Sequence, residues 1–172
     1  DGRIALVVTN AGSNPSSDGK ADTVSVLLGD GAGGFSSATS FATGDWPFGV
    51  AVADFNGDGK NDLAVANRGS GTVTLLKGDG TGSFAFASTI SACPGAINID
   101  AADLNEDGHP DLVVCGVEAT YLVRLINDGT GSFSKLTTTL PSKGATDIGL
   151  GDLNEDGHVD LVVGRLWGTT AT

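Results

Sequence analysis

Three short segments of the chain share one pattern of oxygen-bearing side chains. Each begins Asp-x-Asn-x-Asp-Gly and closes with another Asp at position nine, and each starts 49 residues after the previous one. A hard cation such as calcium takes roughly six to eight oxygen ligands, and a loop with oxygens at every second position around a tight glycine turn supplies them. We therefore predict calcium-binding loops at Asp54–Asp62, Asp103–Asp111 and Asp152–Asp160.

The predicted ligands are the side chains at positions one, three, five and nine and the backbone carbonyl at position seven. About three Ca²⁺ per chain are expected. Mg²⁺ fits less well, because it requires a small octahedral shell and retains its waters. The glycine at position six is expected to adopt the positive φ of a sharp turn. The ligand set is Asp54, Asn56, Asp58, Lys60 and Asp62; Asp103, Asn105, Asp107, His109 and Asp111; and Asp152, Asn154, Asp156, His158 and Asp160.

Two other interpretations of these loops are weaker. An EF-hand needs a bidentate glutamate at position twelve and helices on either side. Position twelve is valine in every copy, and the flanking residues alternate as strands do. His109 and His158 invite a zinc or general-base interpretation, but they occupy position seven, where Lys60 stands in the first copy. We expect solvated side chains there.

Other acidic residues have a structural interpretation. Asp30, Asp79 and Asp128 lie in glycine-rich turns, where aspartate commonly accepts hydrogen bonds from the backbone. The segment Asn14–Asp22 has loop-like spacing but a weaker ligand set and no strand immediately before it, so a metal there is left open. No nucleophile signature, phosphate loop or pair of catalytic carboxylates occurs outside the calcium loops, so no enzyme is predicted.

Strands must position these loops, and a second landmark shows how. Three glycine-rich turns end at Phe35, Phe84 and Phe133, again 49 residues apart, so the chain contains a duplicated unit. Four short strands are predicted in each unit. Strand one leads into the loop, strand two leaves it with apolar residues on both faces, strand three precedes the glycine-rich turn and strand four follows it. Predicted strands two are Leu63–Asn67, Leu112–Cys115 and Leu161–Val163; strands three are Val24–Leu28, Thr72–Lys77 and Tyr121–Ile126; strands four are Phe84–Ile90 and Phe133–Leu140.

Composition narrows the class of protein. The formal net charge is −12, which opposes binding to nucleic acid and to anionic membranes. No apolar run is long enough to span a membrane, and 27 glycines with no methionine favour a turn-rich all-β protein. Cys93 and Cys115 could pair in an oxidising compartment or remain two buried thiols.

The segment from Asp54 to Val65, its two copies and the turn Gly-Asp-Gly-Thr-Gly-Ser-Phe resemble the FG-GAP or VCBS repeats of integrin α-subunit propellers and their bacterial extracellular relatives. The Phe-Gly of the family name is recognisable only at Phe48-Gly49. The resemblance implies blades of four strands, a metal in the loop between strands one and two, and an extracellular, secreted or cell-surface location.

The predicted fold is therefore all-β, with β-propeller-like repeats of four-stranded antiparallel sheets. Residues 1–172 form one repeat array, divided into units 1–45, 46–94, 95–143 and 144–172. Asp1–Asn10 aligns with Asp58–Asn67, which puts Ala5 in place of the last ligand, so a fourth calcium site is absent or degenerate. Two blades are complete and those at both ends are partial, so the ring is not expected to close within one chain.

Two functions follow from this architecture. The first is a secreted, calcium-stabilised structural or scaffold protein that associates head-to-tail with other copies of itself through its incomplete terminal sheets, as a ring, fibre or tube. The second is a fragment of an extracellular propeller that acts as an adhesion or carbohydrate-binding module for protein or glycan. Trp46, Trp167 and Tyr121 could stack on sugars, although the two tryptophans do not recur at the repeat step.

Overall fold

The computed structural model describes residues 5–12 and 22–166, and within them the chain forms strands and no helix. Several connections, such as residues 68–71, 79–83 and 128–132, are short turns rich in glycine, which favours antiparallel pairing of neighbouring strands. The strands are β1 (Ala5–Asn10), β2 (Thr23–Leu28), β3 (Thr39–Ala42), β4 (Pro47–Ala53), β5 (Asp62–Asn67), β6 (Thr72–Gly78), β7 (Phe84–Ser91), β8 (Ala96–Ala102), β9 (Asp111–Gly116), β10 (Tyr121–Asn127), β11 (Phe133–Thr139), β12 (Ala145–Gly151) and β13 (Asp160–Arg165).

The strands form four antiparallel sheets, each with its strands in chain order. The first sheet is β1-β2-β3, the second β4-β5-β6-β7, the third β8-β9-β10-β11 and the fourth β12-β13. The two middle sheets thus have four strands, with partial sheets on either side of them. The all-β fold with propeller-like repeats is confirmed, as are the predicted strands two, three and four to within two residues at their ends.

Strand two of each middle sheet is buried on both faces, as its adjacent apolar residues predict. In β5, Leu63 and Val65 pack with Val24 and Val26 of the first sheet. The alternate residues Ala64 and Ala66 belong to the largest core cluster, which lies between the second and third sheets. A third cluster lies between the third and fourth sheets. The protein is therefore a row of sheets with an apolar core between each neighbouring pair.

The first strands of successive sheets lie close together. A Cβ added at Gly49 in β4 would lie 3.0 Å from the Cα of Asn98 in β8, so the two backbones approach too closely for most side chains. This glycine is the one in the Phe48-Gly49 pair. Close packing of the first strands places the loops that follow them side by side.

Both cysteines are buried and free of any disulfide. Burial raises the pKa of the Cys93 thiol to about 12 and that of the Cys115 thiol to about 11. Both side chains are therefore protonated at neutral pH and pack as small apolar groups.

Candidate metal centres

Each predicted calcium loop connects the first two strands of a sheet: β4 to β5, β8 to β9 and β12 to β13. The carboxylate at position one folds the loop around itself. In the first loop, Asp54 Oδ2 accepts a hydrogen bond from the Gly59 amide at 2.7 Å. Asp103 accepts the equivalent bond from Gly108, and Asp152 from Gly157, both at 2.8 Å. All three loops thus share one backbone conformation.

The glycine at position six has the predicted positive φ, which is 80° in Gly59. Position four also has positive φ, which the pattern of ligand residues does not predict. The first loop has Gly57 there, whereas the other two place Glu106 and Glu155 at φ 62°, a region that side-chain-bearing residues seldom adopt. Glycine in the first copy was the one available signal. The two glutamates are therefore locally strained.

The carboxylate at position nine ties the loop to its sheet. Asp62 and Asp111 are 4% and 0% exposed. Asp111 Oδ2 accepts from the Leu104 amide at 3.0 Å and Oδ1 from the Asn127 amide at 2.7 Å. Asp62 makes the matching bonds with Phe55 and Gly78. In the two middle sheets, position nine therefore links the loop, strand two and strand three.

The remaining donors lie close by but are engaged within the loop. Asp107 Oδ1 accepts from the His109 amide at 2.9 Å, and Asn105 Nδ2 donates to Asp107 Oδ2 at 2.8 Å. These bonds, the Asn105 side chain first, hold the pKa of Asp107 below its usual value. The third loop repeats both contacts. In the first loop, Asn56 Nδ2 donates to Asp62 instead.

The donor set fits calcium by its chemistry, since carboxylate, amide and carbonyl oxygens are the ligands that hard cations take. Within residues 5–12 and 22–166, however, no three carboxylate, imidazole or thiol side chains are gathered closely enough to form a ready-made metal cage. The structure thus brings positions one, three, five and nine into one hydrogen-bonded turn without arranging them around a common point.

Two further residues connect with the loops, and neither stands out in the sequence. Lys77 Nζ lies 3.0 Å from Asp58 Oδ2 and lowers the pKa of that carboxyl group, whereas the equivalent residues are Leu28 and Ile126. Buried Asn127 donates to the Phe55 carbonyl of the first loop at 2.9 Å and to the Pro110 carbonyl of the second at 3.1 Å. Asn127 thereby joins the loops of adjacent sheets.

The imidazole of His158 contacts the Glu106 carboxylate, so the second and third loops also meet directly. Asp128 at the glycine-rich turn accepts from the Thr130 hydroxyl and amide, as expected of a turn aspartate. Asp30 and Asp79 make equivalent bonds with their own turns. Of the weaker candidate Asn14–Asp22, residues 14–21 lie outside the described part of the chain.

A family model described as an FG-GAP-like repeat matches the chain three times, over residues 1–65, 54–114 and 103–163. The chain belongs to the FG-GAP-like repeat family. The second and third matches each begin at the first residue of one loop and end three residues beyond the next, and the first match ends three residues beyond the first loop, which agrees with the repeat seen in the sheets. No curated protein matches the chain.

FG-GAP repeats are generally non-enzymatic and typically occur in extracellular or cell-surface proteins, where they suggest an adhesion-type role. Among the residues that the structure describes, no helix is long and apolar enough to cross a membrane.

Proposed function

We propose that the chain is a secreted structural repeat protein in which calcium stabilises the acidic loops between strands one and two. The observation that carries this proposal is the position of the acidic loops. Each loop joins strands one and two, and in the middle sheets its last carboxylate also holds strand three. A cation bound in the loop would therefore stabilise a whole sheet rather than a surface turn.

The charge of the loops supports the proposal. The second loop holds four carboxylates, those of Asp103, Glu106, Asp107 and Asp111, and among the described residues no lysine or arginine pairs with them. Like charges within one short turn repel, and a bound divalent cation would offset that repulsion. Asp103, Asn105, Asp107, the His109 carbonyl and Asp111 would hold the ion, with the equivalent residues in the other loops.

Chelation tests this proposal. The melting temperature is measured in excess calcium and in EDTA, and each filled site is expected to add about 1.4 kcal/mol at ten times its dissociation constant. Calcium sites of extracellular modules have dissociation constants on the order of 10⁻⁴ to 10⁻³ M. Identical melting curves in calcium and EDTA would contradict the proposal.

A variant separates a ligand from a merely structural carboxylate. Asp107→Asn should cost more stability in calcium than in EDTA, because in calcium it loses a ligand charge, whereas in EDTA it loses only the hydrogen bonds that the carboxylate accepts from Asn105 and the His109 amide. Asp128→Asn, in a turn outside the loops, is the matched control and should respond equally in both conditions. Equal losses for Asp107→Asn with and without calcium would assign it a structural role only.

We further propose that copies of the chain associate head-to-tail through their end sheets. Leu6 and Val8 of β1 correspond to Leu63 and Val65 of β5, since both strands pair with their neighbours in the same register. The β5 residues are fully buried against the preceding sheet, whereas Leu6 and Val8 are 44% and 39% exposed. The first sheet thus presents the face that another sheet covers elsewhere in the protein.

The last sheet presents the complementary face. Val162 of β13 corresponds to Ala64 and Val113, which are buried against the following sheet, yet Val162 is 51% exposed. A second copy of this chain would therefore continue the row with an interface of the kind already present three times. Apolar faces of this kind, flanked by unpaired strand edges, favour association.

Mixing two blocked variants tests head-to-tail association. Leu6→Asp removes one face and Val162→Asp the other, so each variant alone should stay monomeric and an equimolar mixture should stop at a dimer. Phe86→Asp, which changes an exposed residue on an outer strand, should assemble as the unaltered chain does. Light scattering in calcium reads the mass. A monomeric unaltered chain at every concentration would refute this part of the proposal without affecting the calcium part.

A further inference from the structure

A cleft of about 510 Å³ opens between the second and third sheets, at their ends opposite the calcium loops. The β5–β6 and β7–β8 connections form its walls. Its volume lies within the range of roughly 300 to 1,000 Å³ that ligand sites occupy. The side chains with chemistry to offer are Trp46, Arg68, Glu118, Tyr121 and Lys135.

Trp46 adopts a backbone conformation that is strained for a residue with a side chain. Its φ is 53°, and the residues one and two repeats further on are Gly95 and Gly144, at φ 66° and 93°. Glycine adopts this conformation without strain and tryptophan does not. The indole Nε1 is also buried without an acceptor among the described residues. Backbone strain of this kind is often found at functional sites.

Arg68 is held beside this tryptophan. Its Cζ lies 5.6 Å from the ring centroids of both Trp46 and Phe48, and its backbone amide donates to the Trp46 carbonyl at 2.7 Å. No carboxylate of the described residues pairs with the guanidinium group. The residue one repeat further on is Val117, so the cation is particular to this cleft. Stacking on the rings fixes the guanidinium plane and leaves its N–H groups for a ligand.

The other cleft residues define which ligand fits. Lys135 adds a second cation, anchored by a 2.6 Å hydrogen bond from Nζ to the Ala92 carbonyl, and Tyr121 adds a second aromatic ring. Glu118 adds one carboxylate. Two cations in a chain of net charge −12 favour an anionic ligand, and two rings favour one with an apolar face.

We propose that this cleft binds a carboxylate-bearing sugar, such as a uronic or sialic acid unit. Arg68 would bind the carboxylate through bidentate hydrogen bonds. The rings of Trp46 and Tyr121 would stack on the face of the sugar ring, and Glu118 would accept hydrogen bonds from the sugar hydroxyl groups. A peptide rich in carboxylates would meet the same cations, but Glu118 would repel its further charges. A sugar combines one carboxylate with several hydroxyl donors.

Calorimetric titration of the full chain tests the proposal, with calcium held constant so that the metal proposal does not enter. The probes are sialyllactose and galacturonic acid, each with one carboxylate, which distinguish the two acidic sugars, with lactose as the uncharged comparison. At least one acidic probe should bind, and the dissociation constant for lactose should be higher by about tenfold or more. Binding of lactose as tight as that of both acidic probes would overturn the inference.

Two variants locate the site. Trp46→Gly places at this position the residue that its sister units carry, so the chain should fold, and Arg68→Gln removes the cation alone. Each should weaken acidic-sugar binding about tenfold with a melting temperature close to that of the unaltered chain, whereas Lys143→Gln, outside the cleft, should not. Saturable binding that survives both changes, or binding of an acidic hexapeptide in place of either sugar, would refute the proposal.

Discussion

Position four of the calcium loops illustrates how a repeat can keep its backbone while its residues change. Gly57 suits the positive φ at this position, but Glu106 and Glu155 adopt nearly the same φ at a cost. The three loops keep one conformation because the carboxylate at position one accepts from the amide at position six in every copy. The hydrogen bonds, rather than local preference, thus decide the turn.

Replacing the third-loop glutamate should relieve this strain. Glu155→Gly removes a side-chain conformation that costs roughly 1–2 kcal/mol but adds freedom to the unfolded chain, so a net gain of about 0.5–1 kcal/mol in the free energy of unfolding is expected. Urea denaturation measures it. Glu155→Gln keeps the strain and removes the charge, and should give less. Glu106→Gly should gain less than Glu155→Gly, because it also loses the contact with His158. Equal gains from glycine and glutamine at position 155 would show that charge, not conformation, is responsible.

The aspartates of the glycine-rich turns make the free energy of unfolding depend on pH. The Thr130 hydroxyl and amide hold the pKa of Asp128 below its ordinary value of 3.8, so its ionised form is favoured in the folded state. The stability it contributes is present above that ordinary value and is lost as pH falls through the lowered folded pKa. Asp128→Asn should therefore cost more at pH 6 than at pH 2.5, by urea denaturation in EDTA. A cost that stays the same at both pH values would contradict this assignment.

At the scale of the element, the aspartate at position nine begins strand two and organises the strands around it. Asp111 is fully buried, and its two oxygens accept from amides 7 residues before it and 16 residues after it. Two backbone donors depend on this one carboxylate, and a buried donor without an acceptor is costly. The residue is thus part of the sheet whether or not a metal is bound.

Removing this carboxylate should destabilise the sheet in the absence of calcium. Asp111→Ala leaves the buried Asn127 amide and the part-buried Leu104 amide without their acceptor and should cost about 2–4 kcal/mol of unfolding free energy in EDTA. Asp160→Ala, at the same position of the exposed last loop, is the matched comparison and should cost less, because Asp160 is only partly buried and one amide bond, that from Leu153, is found there. Thermal and urea denaturation in EDTA measure both. A small loss for Asp111→Ala in EDTA would limit its role to metal binding.

The sequence predicts these elements well because their signals are periodic. Adjacent apolar residues such as Leu63 and Ala64 indicate strands buried on both faces, and the glycine-rich turn ending at Phe84 marks where strand four begins. Contacts between sheets carry no such period. Asn127, which joins two loops, corresponds to Gly78, and Lys77 corresponds to Leu28 and Ile126, so one copy does not predict another. Trp46 likewise interrupts the repeat. The residue type at each of these positions depends on its contacts with other loops and sheets, and the spacing of the repeat does not reveal those contacts.

At the scale of the whole molecule, stability comes from cores shared between sheets rather than from a core within each. The three apolar clusters lie between the first and second, second and third, and third and fourth sheets. A sheet at the end of the row is therefore stabilised from one side only. In repeat proteins with this arrangement, each interface between neighbouring repeats adds to the stability.

The same position of the repeat lies in a filled interface at Leu63 and on an open face at Leu6. Leu63→Ala creates a cavity between the first and second sheets and should cost about 2–5 kcal/mol. Leu6→Ala changes the corresponding residue of the open face and should cost well under 1 kcal/mol in dilute solution, because its side chain is 44% exposed. If copies stack, the cost of Leu6→Ala should rise with protein concentration towards that of Leu63→Ala, because the same side chain then becomes buried. Urea denaturation over a range of concentrations follows this change. A cost for Leu6→Ala that is small and independent of concentration would mean that the face stays open, and a large cost in dilute solution would mean that it is already covered.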